Sequence, residues 1–535
     1  MKRVTVGVVL IALLASAAAG AVFQYRLDIE YERKGKTQTK SVFLWIPPEA
    51  KQVRGVAIAG MTLMEREFVR DPIIRKACRD EQIALLFSTG GVGGLDIEKT
   101  LAALARESGY RELTVAPLMF VGHSAGGPPS HRLARKHAER CFALVQYRGG
   151  VPWGGDGLPD GVPSLAMVGQ FDEFGGTMRT EDGNEPAWQR ARDGLARLRP
   201  KNPDALVTLV VEPGAGHFAW SERNAKYLAK WMSKAADARI PETWDIRRDA
   251  PPTLKTIDAN DGWLVSLDLR DIGRIDPAPP AKYAGDRGNT MWVFDAEMAE
   301  ATVAYHKGMG GKDQFIRWKD RYWVDAGTRY FFLGMKWVGP RTFEVHPVYA
   351  QKVPSQHKGH GPRWPHAGEE VGHSEAPIKV KPVSGPIVRA GKHRFRIEYD
   401  ALTPAGSRSR ATFLAYSEGD KTYRYTEQVG MMPRGFRGLT KGRKQTITFP
   451  EIPDVPADAK PIELKASSDA DLPIQYYVAE GPAVVKDGKL HITEVPVRAT
   501  YPIEVTVVAA QFGSGVEPKV RTATPVKRTF KITKP

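Results

Sequence analysis

Through the first 240 positions, short unbroken apolar runs alternate with segments whose apolar residues recur at helical spacing. "RGVAIAG" (54–60), "IALLFSTGG" (83–91), "LMFVGHSAGG" (118–127), "FALVQY" (142–147), "SLAMVGQ" (164–170) and "LVTLVVE" (206–212) read as strands buried on both faces. "VFQYRLDIEYER" and "SVFLWIPP" precede them as a strand pair. Helices are predicted at 71–82, 95–110, 130–141, 185–198 and 221–235. In the second, Asp96 is placed as N-cap and Gly109 as the stop, and in the last Tyr227, Leu228, Trp231, Met232 and Ala235 share one face. Strand–helix alternation with continuously apolar strands predicts an α/β domain, a mostly parallel sheet covered by helices on both faces.

Beyond Ile240 the texture changes. Residues 241–290 are rich in proline, aspartate and glycine, as in a linker or wrapping arm, and 291–306 reads as one further helix. Short β-like runs follow. "HRFRIEY" alternates Phe395, Ile397 and Tyr399. Near the end Ile474, Tyr476 and Val478 alternate, then Ile503, Val505 and Val507, with Asp487-Gly488 as a hairpin turn between the two sets. The expected division is 1–21, 22–240, 241–385 as linker arm and mixed extension, 386–460 as a β-rich module and 461–535 as a β-sandwich. A chain of 535 residues is long enough for several such units.

The N-terminus reads as a signal peptide. Lys2 and Arg3 precede the apolar run "VTVGVVLIALL", and Ala19-x-Ala21 supplies the small residues of a cleavage site. Export to the periplasm or cell exterior is therefore expected, with no membrane span after cleavage. Only two cysteines occur, Cys78 and Cys141. They are assigned to helices on opposite faces of the sheet, hence to two free, buried thiols. The net charge of +16 reads as solvated lysine and arginine spread over several domains. No basic helix or stacked-aromatic motif points to nucleic acid, and export argues against it.

The chemistry concentrates in Gly122-His123-Ser124-Ala125-Gly126, between an apolar strand and a helix that opens with Pro128 and Pro129. A strand that stops on a serine between glycines is the pattern of a nucleophile elbow. A serine hydroxyl needs a base, and the base needs a carboxylate. Asp172 follows the strand at 164–170, and His217 lies in a glycine-containing loop after the strand at 206–212. Glu173 stands beside Asp172 as an alternative acid. The oxyanion donors are assigned to the backbone N–H of Ala125 and, in the loop after "VAIAG", of Met61. His123 reads as a packing residue, and Phe218, Trp220 and "QYRGGVPWGG" as an aromatic pocket wall. His357, His360, His366 and His373 fit no metal-ligand spacing and read as an exposed loop. Trp318, Trp323 and Trp337 read as core in preference to a sugar-stacking platform.

Residues 24–240 resemble the α/β-hydrolase superfamily, of the dienelactone-hydrolase-like and secreted esterase type. The resemblance rests on the elbow, the order Ser-Asp-His and the strand–helix rhythm. It implies a serine hydrolase of carboxylic esters, carbohydrate-linked or polymeric, that needs no cofactor. Some related enzymes carry the acid after the preceding strand, which keeps Asp156 and Asp160 as candidates. The single-glycine "AGMTL" departs from the His-Gly-Gly-Gly form common in lipases and leaves the second oxyanion donor open. Residues 461–535 resemble bacterial immunoglobulin-like modules through "ASSDADLPIQYYVAEGPAVV" and the terminal "ATPVKRTFKI", which implies contact with a cell surface or polysaccharide. A peptidase or amidase on the same fold, and a surface-binding protein with an inert hydrolase domain, are the competing readings.

Overall fold

The computed structural model describes residues 23–33, 35–60, 62–154, 157–170, 172, 187–247, 250–269, 272–309, 311–319, 333–353, 367–407, 411–432 and 438–535. In its N-terminal part, β1 (Tyr25–Arg33), β2 (Lys36–Trp45), β3 (Gly55–Gly60), β4 (Ile83–Ser88), β5 (Leu118–His123), β6 (Cys141–Tyr147), β7 (Ser164–Gly169) and β8 (Val207–Glu212) form one eight-stranded sheet. The order is β1-β2-β4-β3-β5-β6-β7-β8. β2 runs antiparallel to both neighbours and every other join is parallel.

Side chains alternate strictly between the two faces of this sheet. From β4, Ile83, Leu85 and Phe87 enter one core while Ala84 and Leu86 enter the other. The first core is covered by α1 (Leu63–Arg70), α2 (Pro72–Asp80), α5 (Ala187–Leu198) and α6 (Glu222–Arg239). The second is covered by α3 (Ile97–Ser108) and α4 (Gly127–Lys136). The local signals act as expected. Asp96 accepts from the Lys99 N–H, Gly109 closes α3 at φ 81°, and the α6 face from Tyr227 to Ala235 is buried.

Three details differ from the sequence reading. α1 was not foreseen. Cys141 opens a strand instead of closing a helix, because α4 ends at Lys136 and a single 3-10 turn, Ala138–Arg140, intervenes. Both cysteines are nonetheless free and buried, in the cores on opposite faces. The stretch 291–306 divides: β10 (Thr290–Val293) pairs with β9 (Trp263–Ser266), and Asp295 then caps α7 (Ala296–Tyr305) by accepting from the Met298 N–H. Trp292 and Val293 favour a pleated strand, and the Asp295 cap sets the helix start.

The rest of the chain is strand-rich, in small sheets. Lys336–Trp337, Thr342–Glu344, Ile387–Arg389 and Arg394–Ile397 make one sheet, and Lys379–Ser384, Thr412–Ser417 and Thr426–Met431 another. Phe343, Phe395 and Phe413 pack between them. Both sheets pair strands from either side of position 385. Trp318 belongs to this core, only 1% exposed, with its Nε1–H on the Val429 carbonyl. Trp337 packs on Phe343 and Phe512, and Trp323 lies outside the described residues. The last unit is two facing sheets around Leu490, Val505, Val507 and Phe530, and it already includes Val455–Pro456, paired with Val526–Thr533. Its hairpin turns on Asp487 (φ 51°) and Gly488 (φ 73°).

Candidate active site

β5 ends at His123, and the chain turns at once through Ser124–Gly126 into α4. Ser124 takes φ 51°, a conformation a serine adopts at some cost. The turn is tight enough that a Cβ on Gly122 would lie 2.6 Å from the Gly126 carbonyl oxygen and 2.7 Å from the Gly127 Cα. A Cβ on Gly127 would strike the Gly149 carbonyl. The glycines therefore let the strand and the helix approach closely, and the strained serine is left half-buried at the sheet's C-terminal edge.

Asp172 follows β7 and His217 follows β8, so both reach the same edge as Ser124. Ser124 Oγ lies 2.9 Å from His217 Nε2, and His217 Nδ1 lies 2.8 Å from Asp172 Oδ2 and 3.0 Å from Oδ1. The carboxylate can only accept, so Nδ1 carries the proton and Nε2 accepts from the serine hydroxyl. Asp172 and His217 are both buried. The strand order, the serine at the crest of β5, the acid after β7 and the histidine after β8 together decide the fold. The N-terminal part is an α/β-hydrolase fold.

Solved structures similar to the α/β-hydrolase part are low in sequence identity. LpqC, a poly(3-hydroxybutyrate) depolymerase from Bordetella parapertussis, is 17% identical over 42% of this chain and 95% of its own, with a TM-score of 0.27. Est1E from Butyrivibrio proteoclasticus is 14% identical over 39% and 99%, with a TM-score of 0.27. An alpha-beta serine hydrolase homologue from Coxiella burnetii is 16% identical over 40% and 99%, also at 0.27. No family model and no curated relative matches the chain.

Around the α/β-hydrolase triad, the other sequence candidates separate. Ala125 is exposed immediately after the serine, at the N-terminal end of the turn and helix, where backbone N–H groups point outward. Met61, Glu173 and Asp156 lie outside the described residues, and Asp160 is exposed. Phe218 sets its ring edge-on to His217, with ring centres 4.6 Å apart. Trp220 is mostly buried against Tyr147, with its Nε1–H on Asp71 Oδ2, and its remaining surface lines a cleft with Asp71, Ser221 and Lys381. His373 stacks on Tyr349 at 4.2 Å, while His357, His360 and His366 lie outside the described residues. Among the described residues no three histidine, cysteine or acidic side chains group as metal ligands would.

The structure adds supports that the sequence reading missed. Glu65, at N3 of α1, accepts from the Thr62 N–H at 2.6 Å and from the His123 N–H at 3.1 Å. It thereby joins the loop after β3 to the elbow. Burial pushes its carboxyl up to about 8, against the opposing pull of those N–H groups. A Cβ on Gly126 would collide with this carboxylate. Thr62-x-x-Glu65 is a capping-box spacing, the signal that could have revealed both α1 and Glu65.

His123 is more than packing. Burial, then the neighbouring His217, hold its pKa well below the ordinary range, so the ring is neutral. Its Nε2–H donates to the His217 carbonyl at 3.1 Å, and its Nδ1 accepts from the Thr62 hydroxyl at 2.6 Å.

Behind the His217 loop lies a buried polar cluster. Arg148 pairs with Glu212 and donates to the Ala219 carbonyl at 3.1 Å, and Tyr147 donates to the same carbonyl at 2.5 Å. Asn224 donates to Glu212 and to Tyr147, and Tyr305 donates to Asn224. Gln170 accepts from the Gly214 N–H at 2.8 Å.

Proposed function

We propose that this chain is an exported serine hydrolase of carboxylic esters, working through an acyl-enzyme on Ser124. The observation that supports it is the unbroken hydrogen-bonded series from Ser124 Oγ through His217 to Asp172, on a strained elbow at the sheet edge. His217 Nε2 removes the hydroxyl proton as Ser124 Oγ bonds to the ester carbonyl carbon. Asp172 keeps the imidazole in the required tautomer and stabilises its charged form. The Ala125 N–H, with Met61 as the second assigned donor, faces the charge that develops on the carbonyl oxygen. The tetrahedral adduct collapses as the imidazolium gives its proton to the leaving alcohol oxygen. A water molecule, deprotonated by His217, then splits the acyl-serine and returns the enzyme.

Carbohydrate-linked or polymeric esters are the proposed substrates, with the C-terminal β-sandwich, read as immunoglobulin-like, holding the enzyme to a surface or polysaccharide. Export would yield a mature chain starting near Val22, which N-terminal sequencing of secreted protein checks. Among the described residues no helix is long and apolar enough to cross a membrane. A fluorophosphonate probe should label Ser124 in the wild type and nothing in Ser124→Ala, which should also lose turnover of chromogenic esters. An unlabelled wild type, or an active Ser124→Ala protein, would overturn the reading. An amide-selective enzyme would point to the peptidase alternative.

A further inference from the structure

His217 lies in a loop whose backbone turns at Gly214; Gln170 holds that turn from within the α/β-hydrolase part, and a second hold comes from outside it. Strand Thr426–Met431 passes directly behind the turn. The Glu427 N–H donates to the Gly214 carbonyl at 3.3 Å. Glu427 Oε1 accepts from the Gly216 N–H at 3.2 Å, across 211 residues of sequence. The Tyr425 hydroxyl donates to the other carboxyl oxygen at 2.7 Å, which fixes the rotation of the Glu427 side chain. Packing is close here: at Gly214 (φ +71°) a Cβ would stand 2.5 Å from the Tyr425 carbonyl oxygen.

The backbone on either side of His217 is thus pinned from two directions. His123 holds the His217 carbonyl, and Glu427 holds the N–H of the residue before it. Glu427 is itself buried, only 6% exposed. A buried carboxyl is a costly way to fill space, and an apolar residue would pack there without desolvation. What the carboxyl supplies is an acceptor at a defined point for the Gly216 N–H, with its second oxygen anchored by the Tyr425 hydroxyl.

We propose that Glu427 is a positioning residue of the active site: the strand-rich extension reaches across to set the angle at which His217 presents Nε2 to Ser124. This deepens the serine-hydrolase reading and rests on it. The extension would then be part of the catalytic framework, and residues 22–240 alone would hold the reacting groups without holding their geometry.

The test compares Glu427→Ala, Glu427→Gln and Tyr425→Phe in the full chain, with kcat counted per serine titrated by the fluorophosphonate. Glu427→Ala should lower kcat about 10- to 100-fold, since displacement of a catalytic group by about 1 Å costs that much. KM for a small soluble ester should stay within about threefold, because Glu427 is buried behind the His217 loop and its oxygens are taken by the Gly216 N–H and the Tyr425 hydroxyl. Glu427→Gln keeps an acceptor oxygen for the Gly216 N–H and should recover kcat to within about threefold of wild type.

A Glu427→Ala protein that is less heat-stable yet has wild-type kcat per titrated serine would overturn the proposal, leaving Glu427 a purely structural residue. Should Glu427→Ala not fold, Tyr425→Phe decides: a several-fold drop in kcat at unchanged KM supports positioning, and no drop refutes it. The control is Ser124→Ala. If that variant remains active the hydrolase reading fails first. If it is inactive while Glu427→Ala is normal, only the positioning role falls.

Discussion

The added chain meets the α/β-hydrolase sheet at both of its ends, and the two contacts are built differently. At the end where the parallel strands finish, Glu427 offers an acceptor to a backbone N–H beside the histidine. At the end where they begin, the partners are reversed. Glu112, fully buried between α3 and β5, belongs to the hydrolase part, and Arg498 reaches it from the last β unit across 386 residues. Arg498 also stacks over Tyr110 and donates to the carbonyls of Gly109 and Lys51, while its own N–H goes to the Tyr110 hydroxyl. One contact places a single backbone group next to the chemistry. The other neutralises a buried charge far from it. The same appendage therefore supplies geometry at one end and stability at the other.

The largest effect expected is at the triad. Ser124→Ala or His217→Ala should each cost about 10⁴-fold or more in kcat, because the triad acts as a unit. Either loss should leave the thermal transition near that of the wild type, which calorimetry would show. Asp172→Asn comes next, at about 10²-fold or more in kcat, through the wrong histidine tautomer. A mild phenotype there would move the acid elsewhere, with Glu173 the first place to look.

At the opposite end, Arg498→Ala should leave kcat per titrated serine unchanged. It leaves the buried Glu112 carboxylate with the Val53 N–H but without its ion-pair partner, and stability should fall by about 3 kcal/mol. That is the low side for such a pair, since the Arg498 side chain keeps 28% exposure. Denaturant unfolding measures the loss. An Arg498→Ala protein as stable as wild type but catalytically slow would erase the distinction between the two contacts.

The smallest effect is a slope. The native state holds Glu65's proton up to about pH 8, whereas the unfolded chain releases it near 4.5. Between those values the unfolded chain binds fewer protons, so this group makes stability fall as pH rises. Glu65→Gln should flatten the dependence of the melting temperature on pH between 5 and 8. An unchanged slope would mean the carboxylate is already ionised across that range.

These contrasts also mark what could be read from the chain alone. The elbow was legible because local chemistry forces it: glycines at 122 and 126 around a serine, after an apolar strand, permit little else. That Asp172 and His217 reach the same sheet edge as Ser124 was legible because each follows a strand of the same sheet, so chain order stood in for space. Asp96, Gly109 and the Asp487-Gly488 turn were legible as caps and turns, set by residues within a few positions. Glu427 and Arg498 were not, since their roles depend on partners 211 and 386 residues away and nothing local marks them. The helix expected at 291–306 failed because a strand followed by a capped helix carries as many apolar residues as one helix does.

The two thiols give the molecule a pair of built-in clocks. Cys78, on α2, belongs to the core on one sheet face and Cys141, on β6, to the core on the other, and burial raises both thiol pKa values, that of Cys141 to about 12. Neither can meet an alkylating reagent until its own face opens. The rate at which each is trapped therefore times the breathing of that face separately, without any label introduced by mutation. If α1, α2 and the strand-rich extension close over one face more firmly than α3 and α4 close over the other, Cys141 will be trapped first.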